Sequence, residues 1–132
     1  MADYEVTFGE SFEKHYGKSF LKKHKDKRWG ETKKAIVAIC ARIDAVLQTA
    51  LCDEIKSLND CTLAKLDFAI AGTKVSPKNS GCRAILHIDN ANHEVTVLIA
   101  YHKSDIERIN NNETLAWKSL VSDEYPDVRS LL

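Results

Sequence analysis

The sequence predicts an α+β fold: an N-terminal strand, a two-helix hairpin packed on a small, mostly antiparallel sheet, and short C-terminal helices. Three observations predict it. Tyr4-Glu5-Val6-Thr7-Phe8 alternates apolar and polar, the period of a half-buried strand. Apolar residues then recur at helical spacing from Phe12 to Leu51. Residues 81–103 read as a β-hairpin, with apolar runs on either side of the polar loop Asn90-Ala91-Asn92-His93, an ordinary hairpin loop length. The chain has 132 residues, the size of one domain. Residues 1–132 therefore read as one domain, with 109–132 a C-terminal helical extension.

The first strand is closed by Gly9. Phe12, Tyr16 and Phe20 follow at helical spacing, and Lys14, Lys18, Lys22 and Lys25 recur on another face, giving a helix with an aromatic inner stripe and a lysine outer stripe. Trp29-Gly30 breaks it. A longer second helix carries Ile36, Ile39, Cys40, Ile43, Val46, Leu47, Ala50 and Leu51 on one stripe and ends near Leu58-Asn59-Asp60. Leu66, Phe68 and Ile70 alternate in a second strand closed by Gly72. Thr73 to Gly81 is a polar loop with the turn formers Pro77, Asn79 and Ser80,. After the hairpin, Ser104-Asp105-Ile106-Glu107 is a capping-box pattern,. Asn112 can cap a last helix around 113–120, and the tail after Pro126 is expected to fray.

Composition excludes some classes. Formal net charge is zero, so no global excess of positive charge points to nucleic acid. The distribution differs: residues 14–34 hold Lys14, Lys18, Lys22, Lys23, Lys25, Lys27, Arg28, Lys33 and Lys34, while Asp123, Glu124 and Asp127 gather near the end. A neutral total can hide a basic face and an acidic one. Cys40, Cys52, Cys61 and Cys82 match no zinc spacing, and read as buried, reduced thiols. Met1-Ala2-Asp3-Tyr4 opens no signal peptide, and no apolar run reaches membrane-spanning length,. A cytoplasmic protein with no membrane partner is expected.

Within the hairpin, pairing Asp89 with Glu94 puts Cys82, Ala84, Leu86 and Ile88 on one face with Val95, Val97, Ile99 and Tyr101. That face is apolar throughout and is expected to meet the core. Arg83, Ile85 and His87 would share the opposite, exposed face with Thr96, Leu98, Ala100 and His102. A slip of one residue would mix the two sets. Arg83 and His102 are thus expected side by side at the open end.

The order of elements, with Lys65-Leu66, Ala71-Gly72-Thr73-Lys74, Gly81-Cys82-Arg83-Ala84-Ile85 and Val97-Leu98-Ile99-Ala100-Tyr101-His102-Lys103-Ser104-Asp105-Ile106, resembles the RelE/ParE superfamily of bacterial toxins of type II toxin–antitoxin systems. The resemblance spans roughly residues 4–108. It implies a RelE-like fold and, in the RelE branch, a metal-independent endoribonuclease (an mRNA interferase) that inhibits translation by cutting messenger RNA on the ribosome. It also implies a cognate antitoxin protein as partner, messenger RNA and the ribosome as targets, and contact with DNA only through a toxin–antitoxin complex. ParE-type members instead inhibit DNA gyrase. A non-catalytic gyrase inhibitor or an inactive toxin relative acting as a protein-binding module is therefore the alternative.

Attack of a ribose 2′-OH on its neighbouring phosphate needs a base, an acid and cations around the phosphorane. No cofactor and no metal is required if arginine and lysine supply the charge. Arg83 matches the family's catalytic arginine, and its planar fork can hold two phosphate oxygens; the alternative is an arginine paired with a neighbouring acid. Lys74 and Lys78 flank Pro77 in the loop before this strand and would bind phosphate or relay protons; otherwise they are solvated loop lysines. His102 is a candidate acid or base, since an imidazole is the side chain suited to that work near neutrality. Tyr101 could exchange a proton or stack on a base, although the register turns it to the core. Lys103 could hold backbone phosphate. His87 shares Arg83's face further along and reads as structural or peripheral.

If the stripe Lys14-Lys18-Lys22-Lys25 seats the protein on RNA, Lys18→Glu with Lys22→Glu is expected to weaken RNA binding. Each lost phosphate contact should also flatten the salt dependence of log K by about 0.7. Affinities measured across a salt series check this; unchanged binding would make the stripe a solvated face.

Overall fold

In a computed structural model the chain forms a five-stranded mixed sheet in the order β1-β5-β4-β3-β2. The structure describes residues 3–12, 18–47, 49–104, 106 and 112–132, and only the backbone for 18–26. The strands are β1 (Glu5–Phe8), β2 (Cys52–Leu58), β3 (Cys61–Phe68), β4 (Cys82–Asp89) and β5 (Glu94–His102). The helices are α1 (Lys18–Cys40), the single turns α2 (Ile43–Val46) and α3 (Pro77–Ser80), α4 (Glu113–Glu124), and a C-terminal 3-10 helix over Pro126–Leu131. β1 runs parallel to β5, with Glu5 opposite Glu94, and the other pairings are antiparallel.

The class is α+β, but the expected small sheet under a two-helix hairpin is not what forms. α1 runs unbroken through Trp29-Gly30. Trp29 is buried and stacks on Phe12 at 6.0 Å. The buried Thr32 hydroxyl donates to the Arg28 carbonyl and accepts the Ala71 amide. These anchors fix the middle of the helix, and one glycine does not undo them. Of the expected second helix beyond Cys40, only the turn α2 is helical among the described residues. The stretch read as the end of the second helix is instead the edge strand β2, hairpinned to β3. Its turn is Asn59-Asp60, at φ 51° and 66°, positive values that Asn and Asp tolerate and that tight hairpin turns use.

Each face of the sheet carries a core. On one, Trp29, Ile36, Cys40 and Ile43 pack on Leu66, Phe68, Ala84, Leu86, Ile88 and Val97. On the other, Trp117, Val121, Val128 and Leu131 pack on Leu63, Ile85, Leu98, Ile99 and Tyr101. The face expected to be exposed is therefore roofed by the C-terminal segment. α4 starts at the expected cap, with the Asn112 side chain accepting the Leu115 amide at 3.1 Å,. The tail beyond Pro126 does not fray, since Val128 and Leu131 are buried. The Ser104–Glu107 capping box includes Asp105 and Glu107, outside the described residues. Cys40, Cys52 and Cys82 are buried and Cys61 is half-buried.

The hairpin holds the expected pairing beside its loop, from Asp89 opposite Glu94 to Leu86 opposite Val97. The next pair is Ile85 with Ile99, so Leu98 is an extra residue in β5, a β-bulge. Beyond it every partner moves by one: Arg83 faces Tyr101, and Cys82 faces His102. Arg83 and His102 therefore point to opposite faces, against the expected register.

A Cβ on Gly30 would meet nothing within 4 Å. Gly30→Ala is expected to stabilise the fold by about 0.5–1 kcal/mol through the lower backbone entropy of the unfolded chain. Chemical denaturation would show this as a higher midpoint; a lower one would mean that the helix depends on the glycine.

Candidate functional site

The bulge assembles a row across one end of the sheet. Asp67 on β3 is opposite Arg83 on β4, which is opposite Tyr101 on β5. All three side chains point toward α4, whose first residue, Glu113, closes over them. Glu113 Oε2 lies 3.1 Å from Arg83 Nε and accepts the Tyr101 hydroxyl at 2.7 Å. Asp67 Oδ1 stands 3.9 Å from the same Nε, while Arg83 Nη1 donates to the Gly81 carbonyl at 3.3 Å. Asp67 and Glu113 were not legible as partners of Arg83. The usable signal was the apolar stripe Ala116-Trp117-Leu120-Val121, which needs a sheet face to cover.

Burial sets the protonation of this row. The Asp67 carboxyl is raised above its usual range, first by loss of solvent, with Arg83 and Lys65 pulling it back. The Tyr101 phenol is raised far above its ordinary value, by burial first and then by its bond to Glu113. It stays protonated at any physiological pH, so it can donate a hydrogen bond but cannot act as a phenolate base. Being fully buried, it has no face on which a base could stack, which removes that role.

The other sequence-predicted residues gather around Gly81. Its carbonyl also accepts the Lys103 amide, at 2.9 Å. Its φ is +78°, and a Cβ here would lie 2.8 Å from His102 Nε2; glycine both adopts this turn and lets the ring lie against the backbone. His102 Nδ1 accepts the Ser104 amide at 3.0 Å, leaving Nε2 to carry the proton of the neutral ring. Lys78, on α3, is exposed and close enough for its charge to act on Asp67. The Ser80 hydroxyl ties that loop to β3 through the Phe68 carbonyl and accepts the Cys82 amide at 3.0 Å. Lys74 and Lys103 are exposed. Lys14 lies outside the described residues, and Lys18, Lys22 and Lys25 lie on α1 with their side chains undescribed.

Further along the same face is a cleft of about 520 Å³, whose lining includes Phe8, Glu10, His87, Thr96, Tyr125 and Asp127. Burial pulls the His87 imidazole below its ordinary value, and nearby Asp89 partly opposes this. Among the described residues no group of three or more His, Cys, Asp or Glu could hold a metal ion. No described helix is long and apolar enough to cross a membrane.

No family model matches the chain, and no curated protein matches it. Among solved structures, the archaeal RelE–RelB complex from Pyrococcus horikoshii OT3 is similar, with a TM-score of 0.53 at 9% identity, covering 78% of this chain and 98% of that one. At that identity the likeness shows the fold: this chain has a RelE-like fold.

Because burial favours neutral His87, protonation opposes folding. Its contribution to stability is complete above the unfolded imidazole value of about 6.5 and is lost as pH falls below it. Wild type is expected to lose thermal midpoint from pH 7 toward 5, and His87→Gln to lose less across that window. Parallel melting curves for the two proteins would assign the loss elsewhere.

Proposed function

We propose that this chain is the toxin of a toxin–antitoxin module: one RelE-like domain, extended by residues 109–132, that cleaves messenger RNA at the ribosome by 2′-OH attack on the adjacent phosphate. The observation that carries the reading is the seat between Arg83 and Tyr101, where a guanidinium and a protonated phenol already share one anionic oxygen. A phosphate oxygen asks for the same two donors. Arg83 would stabilise the phosphorane, and Tyr101 would donate to it. His102, on the other face of its strand but beside the same Gly81 turn, would exchange the proton at the rim. Lys74, Lys78 and Lys103 would hold the flanking backbone, with the lysines of α1 adding long-range attraction. In this reading the natural partner is a cognate antitoxin protein, and the protein works in the cytoplasm.

A second reading, a non-catalytic gyrase inhibitor or inactive relative that binds other proteins, is favoured by one observation. Two carboxylates, Asp67 and Glu113, flank Arg83, and both oppose an incoming phosphate.

Cleavage on translating ribosomes separates the two. Arg83→Ala is expected to lower the rate on the order of a hundredfold or more, and Arg83→Lys to recover little because the fork is lost. His102→Ala should flatten the pH–rate profile near neutrality. Thermal midpoints are needed beside the rates, since removing Arg83 leaves two part-buried carboxylates without their cation. Full activity in a folded Arg83→Ala protein would remove the nuclease reading.

A further inference from the structure

We infer that Glu113 is an internal anion that masks the Arg83 seat, and that RNA phosphate binds there by displacing the Glu113 side chain while α4 stays in place. The inference rests on reading the Arg83 end of the sheet as the phosphate-handling end.

Three features argue for exchange of this side chain. First, the contact is a poor use of the guanidinium. Glu113 Oε2 lies 3.1 Å from Arg83 Nε, and that nitrogen makes no aligned hydrogen bond; Nη1 is turned to the Gly81 carbonyl. A phosphate could take two guanidinium nitrogens at once, the stronger arrangement. Second, the seat is not sealed. The side chains of Arg83 and Glu113 keep 21% and 18% of their exposure, while Nε itself is buried, so an anion meets the exposed part of the pair first and reaches Nε only as the Glu113 side chain leaves. Third, Glu113 has a second favourable place. It is the first residue of α4, where the free amides and the positive end of the helix dipole stabilise a carboxylate that swings outward.

The rest of α4 is not free to follow. Trp117 and Val121 are buried in the core on this face of the sheet. The moving part is therefore one side chain, pivoting at the first turn of an anchored helix. Its negative charge sets a threshold: a weakly held anion does not displace it, whereas a phosphate delivered with neighbouring backbone contacts does.

The test measures affinity for a single-stranded RNA oligonucleotide made uncleavable by 2′-O-methylation, at fixed low salt, with thermal midpoints for every variant. Glu113→Gln keeps the shape, the phenol contact and the helix, and removes the charge. It is expected to bind the oligonucleotide about tenfold more tightly than wild type, the scale of one charge-assisted contact. Adding Arg83→Ala should abolish the gain. Asp123→Asn, which removes an exposed acid elsewhere on α4, should give no comparable gain. Unchanged or weaker binding by Glu113→Gln overturns the inference, as does a gain that survives Arg83→Ala or is matched by Asp123→Asn. Wild type supplies a readout that does not need the variant to fold. The Arg83 Nε–H signal in NMR spectra should move as the oligonucleotide is added; a signal that stays put while RNA binds overturns the inference. Cleavage assays keep this separate from the nuclease reading. Ribosomal cleavage by wild type with no gain in Glu113→Gln would defeat the mask alone. An Arg83-dependent gain without cleavage by any variant would defeat the nuclease alone.

Discussion

The Tyr125 hydroxyl accepts the Ser11 amide at 2.9 Å and donates to the Leu98 carbonyl at 2.7 Å. Leu98 is the extra residue of β5, and an extra residue breaks the ladder locally and leaves backbone groups needing partners. The chain closes this gap with a side chain from beyond α4 and ties β1's exit to the same atom. Val97, just before the bulge, accepts the Gly9 amide at 2.8 Å. One hydroxyl thus joins the first strand, the fifth strand and the C-terminal segment at the point where the sheet changes register. Every cross-strand partner beyond it, including the pairing of Arg83 with Tyr101, depends on that change.

The bulge also decides which chemistry meets. Without it Arg83 would share a face with His102, a cation beside an imidazole. With it Arg83 lies between an aspartate and a tyrosine under a glutamate. The partners around the guanidinium change from an imidazole to two carboxylates. Burial of the phenol and of Asp67 follows from the roof formed by α4, so the perturbed protonation of the row and the second hydrophobic core have one origin.

Much of this was legible in the sequence, and the exceptions have physical reasons. The alternation of residues 4–8, the four-residue loop after Asp89 and the cap at Asn112 are local signals, and local signals survived. The bulge was invisible because Leu98 and Ile99 are both apolar and equally suited to the core, so hydrophobicity could not tell which residue was extra. β2 was hidden because its few apolar positions continue the helical stripe that begins at Ile36. Asn59-Asp60, which marks its turn, was read as a helix end. Gly30 misled because the anchors that override it, Phe12 and Ala71, are distant in sequence. The mask on Arg83 belongs to the same class: Glu113 is thirty residues away from it in sequence and meets it only through the packing of Trp117.

β1 has a consequence for how the protein is made. It leaves the ribosome before the other four strands, yet among the described residues its one strand neighbour is β5, with Glu5 opposite Glu94 and Phe8 opposite Val97. Contacts of such wide sequence separation raise the contact order and slow folding, because the loop between the partners must be closed before pairing repays it. The β2–β3–β4–β5 meander can form from neighbouring hairpins as it emerges. The N-terminal strand must then wait for that sheet and dock onto its last-made edge, with Tyr125 arriving later still. Until then β5 is an open edge with a Val-Thr-Val-Leu-Ile run, the kind of surface on which a second nascent chain can add a strand. Assembly order, as much as final stability, is therefore written into the choice of a parallel first strand.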